Sequence, residues 1–285
     1  MNEEDQQSVE VSTEIDLEDI EVRLLLEAIY QRWGYDFRDY APISLKRRIL
    51  RIVEIEKVQS ISALQEQILR DSSLMQRFLN QLMVSVTSMF RDPHFYLSFR
   101  KLVMPLLKEK QQLRIWHAGC ASGEEVYSML ILLHEEGIID RVRIYATDLD
   151  QTGLDKARQG IYSIDSIKEY TENFQAAGGK TPFSNYYYSG HGNAVMRRDL
   201  SENVVWAQHN LVTDASFNEF DVIFCRNVLI YFNEKLQDRV HKLLHDSLTE
   251  DGILILGRQE SLRLTSHVPN YSALDRREKI YQRIQ

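Results

Sequence analysis

At 285 residues the chain has room for one large or two ordinary domains with a substantial core. Its formal net charge of −8 speaks against a general nucleic-acid binder, whose footprint is basic. No apolar run approaches the ~20 residues of a membrane-spanning helix, and two cysteines, Cys120 and Cys225, make neither a disulfide framework nor a zinc site.

The expected setting is therefore cytoplasmic and reducing, with no metal and with both thiols as small buried side chains at strand ends. Part of the acidity is local: residues 1–19 hold eight acidic side chains and no Lys or Arg. Residues 1–18 read as a solvated, disordered tail without the basic start and apolar centre of a signal peptide. Residues 19–83 show helical spacing only, in Ile20, Leu24, Ala28 and Ile29, then Leu45, Ile49 and Ile52, then Leu64, Ile68 and Leu74 to Leu82. Arg47, Arg48 and Arg51 share the face opposite the second stripe. Such a run is either a solvated helix surface or a docking face for an acidic partner.

Residues 84–96 form a linker in which Asp92-Pro93 reads as a helix start, with Asp as N-cap and Pro at the first helical position. Pro105 is expected to break or restart that helix near Met104. The sheet domain, residues 97–285, is built around Leu113–Ala118, a buried parallel strand. Gly119 to Gly123 follow as a small-residue loop, and from Glu124 a helix runs with Val126, Met129, Leu130 and Leu133 on one side. Glycine suits such a loop because a Cβ obstructs both the turn and a ligand's approach. The spacing is neither the dinucleotide fingerprint nor a P-loop.

Val142 to Thr147 read as a second strand ending in Asp148, followed by helical spacing in Leu154, Ala157 and Ile161. Asp148 lies about 25 residues beyond Gly123, near the ~20-residue offset at which an acid receives ribose hydroxyls. The alternative is that Asp148 or Asp150 caps the next helix. Residues 160–203, rich in glycine and tyrosine, read as an inserted subdomain of short antiparallel strands. Strands at Val204–Ala207 and Phe220–Cys225 come next, then a helix capped by Asn233 and ended by Gly252. Ile253–Leu256 is a buried strand, and Lys279–Ile284 a closing strand at the sheet edge.

Thr87-Ser-Met-Phe-Arg-Asp-Pro, Ile115-Trp-His-Ala-Gly-Cys-Ala-Ser-Gly-Glu-Glu-Val-Tyr-Ser, Ala146-Thr-Asp-Leu-Asp, Phe224-Cys-Arg-Asn-Val-Leu-Ile-Tyr-Phe and Leu256-Gly-Arg-Gln-Glu-Ser-Leu stand in this order. Together with Ser44-Leu-Lys-Arg-Arg-Ile-Leu-Arg, they resemble the chemotaxis receptor glutamate methyltransferases, the CheR family, over residues ~20–285. The resemblance implies an α/β class I S-adenosylmethionine-dependent methyltransferase, a Rossmann-like doubly wound sheet with a small N-terminal all-α domain and an inserted antiparallel β-subdomain. It implies cofactor contacts from Thr87, Arg91, Gly119, Gly123, Glu125, Asp148, Asn210, Leu211, Arg226, Asn227 and Val228, with Asp148 on the ribose. Arg91 and Tyr231 would stand at the reacting groups. Arg47, Arg48 and Arg51 would meet the acidic cytoplasmic helical bundle of a chemoreceptor. Arg258-Gln259 departs from the pair that family members more usually carry ahead of Glu260-Ser261.

Esterifying a glutamate needs no general base, because the carboxylate is already anionic at neutral pH. Neither nucleic acid nor a membrane is expected as a partner, and a monomer is the default expectation. Three other readings compete. They are a nucleic-acid or small-molecule methyltransferase on the same sheet, a non-catalytic cofactor-binding signalling module, and a nicotinamide oxidoreductase, which the loop spacing disfavours.

Overall fold

The N-terminal periodicity is realised as helices α1 (Leu17–Trp33), α2 (Pro42–Ile55), α3 (Ile61–Arg70) and α4 (Ser72–Leu82), in a computed structural model that describes residues 16–83 and 87–284. Most of the acidic N-terminus and residues 84–86 of the linker lie outside the described residues. Contacts separate a helical unit, the chain up to Arg38 with Ile43–Phe78, from a sheet unit, Asp39–Pro42 with the chain from Leu79 on. In the helical unit α1 starts at Asp16, whose carboxylate accepts from the Glu18 N–H, and stops at Gly34 in the left-handed region at φ +78°. Its buried face is Val22, Leu25, Leu26 and Ile29, while Leu24 is 55% exposed. The core stripe is thus rotated from the expected one, towards α3. On α2 the stripe Leu45, Ile49 and Ile52 is buried as its spacing requires. Arg47 and Arg51 are exposed and Arg48 is half-buried, whereas Lys46 is held by Asp16, Glu18 and Asp19 at 2.5, 3.1 and 2.8 Å.

The sheet unit continues with α5 (Pro93–Ser98) and α6 (Met104–Lys108), joined through a π-helical turn at Phe99–Val103. The helix restarts at Met104 as expected, with Pro105 in the first turn of α6. The wider turn before it absorbs the missing N–H and the ring's clash with the carbonyl four residues back. There follow β1 (Leu113–Ala118), α7 (Glu124–Glu135), β2 (Val142–Asp148), α8 (Gln151–Gln159), β3 (Ile161–Ser163), α9 (Ile167–Ala176), β4 (Tyr187–Gly190) and β5 (Asn193–Met196). The chain closes with β6 (Val204–Gln208), β7 (Phe220–Cys225), α10 (Glu234–Asp246), β8 (Leu248–Leu256), β9 (Tyr271–Asp275) and β10 (Ile280–Arg283).

Seven strands form one sheet in the order β6-β2-β1-β7-β8-β10-β9. The first five run parallel; β10 runs antiparallel to both its neighbours, β8 and β9, so β9 points the same way as the first five. Strands β3, β5 and β4 form the separate antiparallel subdomain expected within residues 160–203, together with α9. Three expectations are corrected. Ile161 is not on α8, because Gly160 ends that helix at φ +62° and Ile161 opens β3. Gly252 does not end α10, which stops at Asp246; it lies within β8, beside a bulge where Asp251 takes φ +60° and the register to β7 skips. Finally, the terminal strand is interior and β9 is the edge, a short half-exposed strand with too little alternation to be read from sequence.

Candidate active site

Because β6, β2, β1 and β7 are adjacent and parallel, their carboxyl ends share one edge. The chain leaves β1 for β2 on one side and later returns to β7 on the other. That reversal is where doubly wound sheets open a ligand crevice. Gly119–Gly123, Asp148, Asn210 and Arg226–Val228 all follow these ends. Four of the eight non-glycine residues with positive φ among the described residues, Phe90, Asp92, Ala121 and Asn227, also lie in these loops and in the turn before α5. Such strained backbone persists only where its surroundings over-determine it.

The glycine loop is fixed by its neighbours. Gly119 takes φ +82°, and a Cβ there would stand 2.5 Å from the Val228 Cγ2. Gly123, at φ +89°, leaves 2.7 Å between such an atom and the Ala157 Cβ. Gly119 and Cys120 donate their N–H groups to the Thr147 carbonyl at 2.8 and 2.9 Å, tying the loop to β2. We expect Gly119→Ala to push the Val228 turn away from β1 and to weaken S-adenosylmethionine binding at least tenfold by calorimetry. An unchanged affinity would mean that the Gly119–Val228 contact is not part of the binding wall.

Asp148 ends β2 half-buried, and its carboxylate accepts the Ala121 N–H at 2.8 Å and the Asp150 N–H at 2.9 Å, one on each oxygen. Burial pushes its pKa up, and these amides oppose the rise. Asp150, not Asp148, caps α8, accepting the Thr152 N–H at 2.9 Å. The helix-cap alternative thus falls to Asp150. Asp148 retains acceptor capacity on both oxygens, as a ribose diol requires. After β6, Asn210 folds into a turn of its own, its Oδ1 accepting the Val212 N–H at 2.9 Å, with Leu211 buried beside it.

Beneath the loops runs a chain of charges. His117 Nδ1 meets Glu125 Oε1 at 3.1 Å, Arg226 donates to Glu125 Oε2 at 2.7 Å and to Asp92 Oδ2 at 2.8 Å, and Arg258 pairs with Glu278 at 2.8 Å. Burial disfavours the Glu125 anion, but Arg226 and His117 outweigh it and hold its pKa at about 2. The His117 ring stacks on Phe224 at 4.3 Å, and the Arg226 guanidinium lies 4.4 Å over the Phe95 ring. The Arg226 side chain is only 2% exposed and committed to two carboxylates, so any contact it makes with a ligand must run through its backbone or through Glu125. Asp92 sits at the N-cap position of α5 but makes no cap hydrogen bond, because its carboxylate is turned to Arg226.

Two turns complete the site. In the first, Thr87 is half-buried and Arg91 exposed, while Phe90 is fully buried and donates its N–H to Ser128 Oγ at 2.8 Å. The second, Asn227 to Tyr231, is organised by Glu260, a buried carboxylate the sequence reading left without a role. It accepts the N–H groups of Asn227 at 3.0 Å, Val228 at 2.8 Å, Leu229 at 2.7 Å and Gly257 at 2.5 Å. Burial pushes its pKa up and the four amides oppose that rise. Half-buried Tyr231 ends the short 3-10 turn that follows. An acid three residues beyond the glycine that ends an apolar strand was the available signal for Glu260. Arg47, Arg48 and Arg51 lie on α2, in the helical unit.

A parallel sheet with a glycine loop, an acid at the second strand's end and a single reversed strand, β10, inserted beside the edge defines a class I S-adenosylmethionine-dependent methyltransferase. The glycine cradle and the half-buried carboxylates Asp148 and Glu125 fit that cofactor, which carries a sulfonium charge and a ribose. Residues 85–277 match the family described as CheR methyltransferase, SAM binding domain, and residues 20–83 match CheR methyltransferase, all-alpha domain. The chain belongs to the CheR methyltransferases. It is 46% identical over 265 residues to Cher3 of Pseudomonas putida, covering 93% of this chain and 97% of that one. Chemotaxis protein methyltransferase 2 of Pseudomonas aeruginosa is 31% identical, over 85% of this chain and 86% of its own. The chemotaxis protein methyltransferase of Escherichia coli is 27% identical, over 94% and 91%.

Proposed function

We propose that this chain methylates specific glutamate side chains on the cytoplasmic helical bundle of chemoreceptors, as a cytoplasmic monomer working in chemotaxis-type adaptation. The observation that carries the cofactor site is Asp148, held by a glycine-loop amide yet keeping acceptor capacity on both oxygens. Among the described residues no helix is long and apolar enough to cross a membrane. The relatives named chemotaxis protein methyltransferases support the chemotaxis setting, and the glutamate acceptor rests on the family resemblance.

When bound, S-adenosylmethionine supplies a methyl group on a sulfonium centre. Asp148 would hold its ribose, Asn210 and Leu211 would flank the adenine, and Thr87, Gly119, Gly123, Glu125, Asn227 and Val228 would complete the wall, Arg226 acting through Glu125. The acceptor glutamate is anionic at neutral pH, so the chain's own task is positioning, which can supply roughly 7–11 kcal/mol when reactants stand ~3–3.5 Å apart in line. A strong ion pair to that carboxylate would favour the ground state, where its charge is largest. Arg91 is therefore assigned to orientation, and Tyr231 to a hydrogen bond that adds no charge.

Transfer of labelled methyl from S-adenosylmethionine to a receptor cytoplasmic fragment, scored as base-labile ester, tests the reading. Label on nucleic acid or a small molecule instead would displace it. With Arg47 and Arg51 both changed to Glu, we expect receptor methylation to fall about tenfold or more at low salt, with cofactor affinity unchanged. If that variant lost S-adenosylmethionine binding, the partner-docking assignment of α2 would be wrong.

A further inference from the structure

Residues Asp39–Pro42, between α1 and α2 in sequence, belong to the sheet unit and pair with the turn that carries Tyr231. The Ala41 N–H donates to the Tyr231 carbonyl at 2.9 Å, and the Asn233 N–H donates to the Asp39 carbonyl at 2.9 Å. These bonds close a single antiparallel bridge centred on Tyr40 and Phe232. The two rings meet edge to face, with centroids 5.0 Å apart and planes at 71°, and Tyr40 is only 6% exposed. Asn233 Nδ2 donates to Asp39 Oδ1 at 3.2 Å, while Asn233 Oδ1 caps α10 by accepting the Leu236 N–H at 2.9 Å.

The turn is short and has no long element of its own to stiffen it. Its other supports come from the sheet unit's own run: Glu260 holds the amides before it, and Gln237 Nε2 donates to the Leu229 and Phe232 carbonyls at 3.1 and 3.0 Å. The Asp39–Pro42 strap holds the carbonyl of Tyr231 itself and packs the ring of its neighbour. An edge-to-face aromatic pair is directional, so it fixes an orientation as well as burying area. A displacement of about 1 Å at reacting groups can cost about a hundredfold in rate.

We propose that Tyr40 is a positioning residue for methyl transfer. Its ring against Phe232, together with the Asp39 and Ala41 backbone bonds and the Asp39 carboxylate on the Asn233 amide, sets where Tyr231 stands and takes no part in holding the cofactor. The inference rests on the assignment of Tyr231 to the reacting methyl.

The test uses the full chain carrying Tyr40→Leu, Tyr40→Phe, Asp39→Ala or Tyr231→Ala, with labelled transfer to a receptor fragment and calorimetric titration of S-adenosylmethionine. For Tyr40→Leu we expect kcat to fall by about tenfold to a hundredfold, with the cofactor Kd within about twofold of wild type. Tyr40→Phe keeps the ring and should restore kcat to within about twofold. Half-buried Asp39 can be changed with less risk to folding. Asp39→Ala should lower kcat in the same direction and decides the matter if Tyr40→Leu does not fold. A wild-type kcat in Tyr231→Ala would remove Tyr231 from the reaction and the Tyr40 role with it. An impaired Tyr231→Ala beside a wild-type kcat in both Tyr40→Leu and Asp39→Ala would overturn the Tyr40 role alone. Equal losses of kcat and cofactor affinity in the strap variants would show a merely structural part and would also overturn it.

Discussion

Arg226→Met is expected to destabilise the protein by about 3–5 kcal/mol at pH 7, because removing one partner of a buried ion network strands the others. Arg226 alone bridges Glu125 and Asp92, at 2.7 and 2.8 Å, and its side chain is 2% exposed. Without it, among the described residues, Glu125 keeps only His117 at 3.1 Å and Asp92 only Arg258 at 3.7 Å. The pH dependence distinguishes this cause from a simple packing defect. In the wild type Glu125 has its pKa held at about 2, below the ordinary 4.5, by Arg226 and His117 acting against burial. Its contribution to stability is present above the ordinary value and is lost as pH falls towards about 2.

In the variant, burial acts with less opposition and raises the folded-state pKa above the unfolded one. The sign reverses: the folded state binds the proton more tightly, so stability is favoured at low pH and lost as pH rises through the raised value. The deficit read from urea midpoints should therefore shrink between pH 7 and pH 5. A deficit equal at both pH values, or below about 1 kcal/mol, would refute the network account. Arg226→Lys should fall between, because one ammonium cannot reproduce two diverging N–H donors over an aromatic face.

The parts of the fold that sequence disclosed are those in which periodicity and burial coincide. Leu113–Ala118 and Phe220–Cys225 are apolar at nearly every step because both faces of a parallel strand are covered. Elements at the periphery were not disclosed. Strand β9 is half exposed, and the buried face of α1 lies beside the stripe its spacing suggested. The loops at the strand ends were legible as a candidate site because glycines and a following acid occur at meaningful separations. Their supports were not, because Asp92, His117 and Glu260 act across 134, 8 and 33 positions of chain, on Arg226, Glu125 and the Asn227 amide. Asp92 misled for a physical reason: Asp before Pro has the local signature of a helix cap, and a buried guanidinium is a stronger claimant on its charge. Arg258, which departs from the family pair, makes an ion pair with buried Glu278.

The second large effect is expected at Glu260. Each of its oxygens receives two main-chain donors: Oε1 those of Val228 and Leu229, and Oε2 those of Asn227 and Gly257. Glutamine has the same shape but puts an NH2 donor where one oxygen stood, so two amides lose their acceptor and face another donor. At about 1–3 kcal/mol for each buried donor left unsatisfied, the turn loses about 2–6 kcal/mol of local stability. Asn227, held at φ +62°, is the residue with most to gain by relaxing. Its movement takes Val228 off Gly119, the packing that a Cβ at Gly119 would violate. Glu260→Gln should accordingly weaken S-adenosylmethionine binding by about tenfold to a hundredfold, each tenfold step being 1.4 kcal/mol. Calorimetry reads the affinity and circular dichroism the retained fold. Gly257→Ala provides the same displacement from the other side, since its Cβ would stand 2.7 Å from Glu260 Oε2 and 2.8 Å from the Asn227 nitrogen. If both variants bound the cofactor as tightly as wild type, the Asn227–Val228 turn would not form part of the cofactor wall, and the binding site would have to be sought among Asp148, Glu125 and the glycine loop alone.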